Sequence, residues 1–162
     1  MATTGGFTSS QLISEEQILT LPSLDLTGAL EIGEIAKSLG QLRILPIAVE
    51  VRLIDWIIYH ASLPGSKAEN DWWMNRKARV VMLKHHSTMH ERVNAEECGV
   101  DWHKENNLLD ETHAIHGGGL PLITKDDGFV GVLLISGLPQ VEDHLLGVEV
   151  LTEFLARKGE TL

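Results

Sequence analysis

Cysteine, aromatic side chains, positive charge and long apolar runs are all scarce in this chain of 162 residues, and each scarcity removes a class of function. The single cysteine, Cys98, cannot form an internal disulfide. The opening MATTGGFTSS has neither the basic start nor the apolar run of a secretory signal, so a reducing, cytoplasmic setting is expected. Thirteen Lys and Arg stand against twenty-three Asp and Glu, a net charge of -10. That field repels phosphate backbones and anionic lipid, which argues against nucleic acid and membranes as partners. The longest apolar stretch, VGVLLISGLP, falls well short of the roughly 18 to 20 residues that cross a bilayer. Catalytic templates are missing too: there is no GxGxxG, no Walker loop, no GxSxG elbow and no CxxC pair. HSTMH, residues 86–90, spaces two histidines by four without the glutamate of HExxH, which disfavours a metalloprotease. Cys98 follows Glu96 and Glu97 near a helix end, a poor place for a low-pKa thiolate.

What is present suits one compact domain, with 43% hydrophobic residues and no internal repeat. Residues 1–11 read as a small, polar tail and 12–162 as the domain. Ser14 and Gln17 have capping-box spacing for a short helix ended by Pro22. A second helix starts at Asp25, carries Leu26, Ala29, Ile32, Ala36 and Leu39 on one face, and should close at Gly40. Ile47, Val49, Val51 and Leu53 alternate with Ala48, Glu50 and Arg52 as a strand, and Trp56 to Ala61 reads as its antiparallel partner. Residues 70–97 contain no glycine or proline, which predicts one long helix burying Val80, Val81 and Leu83 and stopped by Gly99. A partly helical connection over 100–116 carries Trp102, Leu108 and Leu109. Two further strands flank Asp127-Gly128, a hairpin signal. Pro139 opens a last helix with Leu145, Val148, Leu151 or Thr152, and Leu155 as its apolar stripe. This order predicts an α+β fold: an antiparallel sheet with helices on one face and the other face free, hence a homo-oligomer.

Three clusters could carry chemistry. In HAIHGGGLP, residues 113–121, the run Gly117, Gly118 and Gly119 brings backbone without Cβ close to a ligand, with His116 at its rim; the same run also serves a tight crossover with no ligand. In SGLPQVEDHLL, residues 136–146, Glu142 and Asp143 complement the positive end of a helix, whereas His144 there favours its neutral form, suited to ligating a metal or acting as a base. On the long helix, His86 and His90 share a face, which fits a metal site and equally a solvated surface. Arg76 and Arg79 form a possible fork for a carboxylate, or face water or a neighbouring subunit.

The succession LPGSKAENDWWMNRKARVV, AIHGGGLPL and GVLLISGLPQVEDHLLGVEVLTEFL resembles the small heme-degrading-domain-like proteins related to HbpS and GlcG, over about residues 12–156. The resemblance implies a profilin-like or PAS-like domain that assembles into symmetric oligomers. Some members of that family bind heme or sense redox state, and others accompany metabolic enzymes. It also implies site roles for Asn70, Asp71, Arg76, Lys77, His116, Gly117, Gly118, Gly119, Gly137, Pro139, Glu142, Asp143 and His144. MLKHHSTMHERV departs from the family pattern, which has an aromatic and paired serines there, and WHKENNLLDETH is longer than usual.

Three functions follow as expectations. The first is an oligomeric protein binding a small anionic or tetrapyrrole-like molecule, or a divalent metal, with His116 and His144 as ligands or proton carriers and Arg76 as an anion clamp. The second is an enzyme without cofactor, an isomerase, cyclase or lyase, using His116, His144, Glu142 and Asp143 as acids and bases. The third is an interaction module held together by the motif residues. The first two require His116 and His144 to converge on one recess.

Overall fold

In the computed structural model, residues 4–159 are described; residues 1–3 of the expected tail and 160–162 of the expected domain lie outside that range. Ten elements follow in the order α1 (Ser9–Ile18), α2 (Leu26–Leu42), β1 (Ala48–Leu53), β2 (Trp56–Ser62), α3 (Ala68–Lys84), α4 (Thr88–Cys98), α5 (Trp102–Asn106), β3 (Gly119–Thr124), β4 (Gly128–Ser136) and α6 (Gln140–Arg157). The four strands form one antiparallel sheet in the order β2-β1-β4-β3. Two hairpins supply the outer pairs, and β1 and β4 zip them together in the middle. The β3 edge is partly covered, because Leu21 pairs with its end and donates to the Ile123 carbonyl at 2.7 Å. The β2 edge stays open, with Trp56 and Ile57 exposed.

Period-two alternation sends each strand's side chains to both faces. Val49, Val51, Leu122, Leu133 and Ile135 pack with Ile32 and Ile35 of α2 and with Val150 and Phe154 of α6. Each such side chain contributes roughly 1.5–3 kcal/mol on leaving water. On the opposite face Ala48, Val132 and Leu134 meet Met74, Ala78 and Val81 of α3. The expected free face is therefore covered. Glu50 and Arg52 lie beneath α3 as a buried ion pair at 2.5 Å, and Arg52 also donates to Asn75 at 2.6 Å. Alternation correctly placed these two residues off the main core, but it cannot distinguish solvent from a second layer of helix.

The structure corrects several boundaries. α1 starts earlier than Ser14, because Thr8 and Gln11 form the reciprocal capping box. α2 runs through Gly40, where a Cβ would lie 2.5 Å from Leu63 and 3.0 Å from Ile47. That glycine serves close helix-to-strand packing rather than a cap. The expected long helix is two: His85 takes a left-handed conformation (φ 60°) and Ser87 caps α4 by accepting from the His90 N–H at 3.0 Å. The absence of glycine and proline concealed this break, because a histidine can adopt that region at modest cost. Leu83 is exposed, and so is Leu145, while Leu146, Val150 and Phe154 carry the buried face of α6.

Candidate functional site

The glycine run reaches the sheet between α4 and α6, and its backbone is pressed from both sides. The Gly117 N–H donates to the Gln140 side-chain oxygen at 3.2 Å, and the Gly119 N–H donates to Thr88 Oγ1 at 3.1 Å. Gly118 sits at φ 122°, where a Cβ would meet the Ile135 carbonyl oxygen at 2.3 Å and Lys77 Nζ at 2.8 Å. The expected anion cradle is thus filled at two of its three N–H groups by the protein's own oxygens. The run is a crossover squeezed against the start of α6, and its consequence for the site is the placement of His116.

His116 lines a recess of about 230 Å³ together with Asn70, Trp73, Lys77, Ser136, Gly137, Leu138, Gln140 and Asp143. Asn70, Trp73 and Lys77 recur at three- and four-residue steps, so one face of α3 forms a wall. The turn between β4 and α6 forms the other wall. It is tight enough at Gly137, φ 139°, that a Cβ would lie 2.4 Å from the Pro46 carbonyl oxygen. Pro139 opens α6, and its carbonyl accepts from the N–H groups of Glu142 and Asp143. At the back, Lys77 Nζ donates to the Ile135 carbonyl at 2.9 Å and contacts Asp143 Oδ2 at 3.3 Å, both side chains nearly sealed from water. Asp143 Oδ1 accepts from the Leu138 N–H at 3.0 Å. Burial pushes the Asp143 carboxyl up to about 6 against the pull of Lys77 and the Leu138 N–H, and burial lowers the Lys77 ammonium despite Asp143. Both shifts have burial of the charged forms as their largest cause.

His116 makes no hydrogen bond among the described residues, and its Nδ1 is buried without a partner. Its ring stands edge-on to Trp73, centroids 4.8 Å apart. Burial, helped by the positive charges of Arg92 and Lys77, pushes its pKa down to about 4. The ring is therefore neutral at physiological pH, with one nitrogen free to accept and the other to donate.

The structure does not bring His144 to this recess. Its side chain is wholly buried, Nε2 lies 2.7 Å from Glu15 Oε1, and Phe7 stands edge-on to the ring at 5.5 Å. His144 therefore anchors α1 instead of meeting His116. Arg76 is likewise committed. Its guanidinium is stacked between Trp72 and Trp73 at 4.2 and 4.3 Å, pairs with the Asp110 carboxylate at 3.0 Å and donates to the Asp110 carbonyl. An arginine held this way positions the loop before His116 and has no free fork for a ligand. Arg79 donates to the Thr112 carbonyl at 3.1 Å of the same loop. Asp71 points to His60 Nε2 at 3.0 Å, and Glu142 is exposed. His86 and His90 have ring centroids 4.6 Å apart, but each takes its own carboxylate, Glu16 and Glu91. Among the described residues no three His, Cys, Asp or Glu side chains are grouped to hold a metal ion. Trp73, Ser136, Leu138 and Gln140 are lining residues that the sequence reading missed, although Trp73 lies on the same helical face as Asn70 and Lys77.

The family model described as haem degrading protein HbpS-like matches residues 24–152. The chain belongs to the HbpS-like family. A UPF0303 protein of Streptomyces avermitilis is 37% identical over 150 residues, covering 93% of this chain and 92% of that protein. Among solved structures, the Ybr137w protein has a TM-score of 0.85 at 24% identity, covering 96% of this chain and 91% of its own. A PduOC:heme complex has a TM-score of 0.67 at 18% identity, covering 80% of this chain and 94% of its own. These likenesses establish the HbpS-like fold, an antiparallel sheet flanked by helices. No helix among the described residues is long and apolar enough to cross a membrane.

Proposed function

We propose that this HbpS-like chain binds a small organic anion in the recess at His116. The observation carrying this reading is a neutral, unpartnered imidazole in a polar hollow, with Arg92, Lys77 and Arg76 the positive groups around it and Asp110 the opposing charge. Each of those cations faces a carboxylate, Lys77 with Asp143, Arg76 with Asp110 and Arg92 with Glu96, so the ligand would be held chiefly by hydrogen bonds, with His116 the group left to make them. Asn70, whose amide donates to Ser136 Oγ at 3.2 Å, and Ser136 add polar groups to the lining.

The size of the recess favours a ligand smaller than a tetrapyrrole. Pockets that enclose drug-sized ligands span roughly 300–1,000 Å³, and this one holds about 230 Å³. A divalent metal at His116 and His144 fares no better, since the two histidines serve different neighbourhoods. Calorimetry with a panel of small carboxylates tests the proposal. Saturable binding that weakens about tenfold or more in His116→Ala, with the melting temperature retained, supports it. Equal binding by both proteins overturns it.

Self-association belongs to the same reading, on different grounds from a free sheet face. The open β2 edge carries exposed Trp56 and Ile57, and Ile54 beside it is also exposed. A second copy would cover both the unpaired backbone and this apolar surface. Trp56→Lys should lower the molar mass in light scattering; an unchanged mass removes this edge from the interface.

A further inference from the structure

Resting on the anion-binding reading, we propose that Lys77 is a carbonyl-reactive amine and that the ligand class is a small 2-oxo acid, held as an imine. Lys77 is the one lysine lining the recess, and its amine is held beside a carboxyl that can exchange a proton with it. Its Nζ meets two acceptors, the Ile135 carbonyl at 2.9 Å and Asp143 Oδ2 at 3.3 Å. Asp143 is itself oriented by the Leu138 N–H, so its second oxygen is aimed at the amine. Gly118 packs closely beside Nζ, where a Cβ would lie 2.8 Å from it. His116 stands in the same hollow with hydrogen-bonding capacity that the protein does not use, the place for the carboxylate of a 2-oxo acid or for the oxygen leaving its carbonyl.

The step balances within the site. With the proton of the pair on Asp143, the Lys77 lone pair attacks the carbonyl carbon and the C=O π pair moves onto oxygen. That oxygen takes a proton from the new N–C centre, giving a carbinolamine. Asp143 then gives its proton to the hydroxyl, water leaves, and the C=N bond forms. The iminium faces the Asp143 carboxylate where the ammonium did before, so the net charge of the site is unchanged and no oxidant or reductant is required. The burial that lowers the Lys77 ammonium and raises Asp143 favours the starting form.

The full-length protein incubated with pyruvate and sodium borohydride, followed by peptide mass spectrometry, tests this. The expected result is a reduced pyruvate adduct on Lys77 at least about tenfold above that on Lys37, Lys67, Lys84, Lys104, Lys125 or Lys158, because a neutral amine is the nucleophile. Asp143→Asn should slow the labelling while pyruvate still binds, and Lys77→Arg should abolish it. If either variant fails to fold, the site map on the unaltered protein decides. Calorimetry with lactate, which has no carbonyl, separates the two proposals. Lactate binding without labelling of Lys77 overturns the imine and leaves the anion recess standing. Absence of binding by both acids, with no label, overturns both.

Discussion

His116 and His144 are the two imidazoles whose Nδ1 atoms are buried without a partner, yet one lines a recess and the other seals a helix to the domain. The contrast is sharpest along α6, where Glu142, Asp143 and His144 are consecutive. Successive helical residues point about 100° apart. Glu142 faces water, Asp143 reaches back to Lys77, and His144 meets Glu15 under α1. A motif that reads as one cluster in one dimension serves three environments in three. Only the middle residue belongs to the recess.

The largest expected effect lies on the recess side. Gly118→Ala adds a Cβ 2.3 Å from a backbone oxygen at a positive φ, so backbone must move. Together with the conformational cost this should destabilise by more than about 3 kcal/mol, read as lost soluble yield or an early denaturant midpoint. Near-normal stability would show that the run tolerates side chains and that its packing does not fix His116. Lys77→Met comes next, because it leaves Asp143 buried and unpaired. A loss of about 3 kcal/mol is expected, with much of it restored in the Lys77→Met, Asp143→Leu double variant. On the other side, His144→Ala removes a buried ring and its contact with Glu15, at about 2–3 kcal/mol, while carboxylate binding stays within about twofold. A collapse of binding in that variant would erase the distinction between the two regions.

Much of the scaffold was legible because short-range physics dominates it. The alternation of Ile47, Val49 and Val51, the Asp127-Gly128 turn and Pro139 before α6 each act within a few residues. The expectations that failed depend on what lies across space. Whether Glu50 and Arg52 meet water or α3, whether Arg76 is free or stacked on Trp72 and Trp73, and where His144 points are settled by partners distant in the chain. Of the candidate site, the motif residues Asn70, Lys77, His116, Gly137 and Asp143 do meet at one recess. Arg76 and His144 support neighbouring segments instead. Spacing alone could not separate these sets, because Asn70 and Lys77 share α3 with Arg76, and Asp143 shares α6 with His144.

Acid titration sharpens the comparison with a smaller effect. His116 has a folded pKa near 4, below the ordinary 6.5, so the unfolded chain takes up that proton first as the pH falls. The stability this ring contributes is complete above about pH 6.5 and is lost toward pH 4. Asp143 runs the other way: its carboxyl, raised to about 6 from 3.8, holds a proton in the folded state first, and stability from this group grows as pH falls through the same interval. The two slopes oppose each other in the unaltered protein. His116→Gln removes one of them, so the variant should gain stability relative to the parent as pH drops from 6.5 to 4, by about 1 kcal/mol after discounting for the ring's partial exposure. Urea denaturation at several pH values measures this, and an imidazole resonance titrating near 4 confirms its origin. A difference that is flat with pH would place His116 in water, outside the recess.

The smallest expected effect belongs to the third direction of the same helical turn. Glu142 is exposed and, among the described residues, has no partner beyond its backbone contact with Pro139. Its contribution is the favourable placement of negative charge at the first turn of α6, worth about 0.3–1 kcal/mol and screened by salt. Glu142→Gln should therefore shift stability by that amount at low ionic strength, less at high, and leave carboxylate affinity unchanged. If the substitution instead strengthened anion binding more than about threefold, the field of Glu142 would reach the recess. The boundary drawn between residues 142 and 143 would then describe side-chain direction only, and the electrostatics of the site would have to include the outer face of the helix.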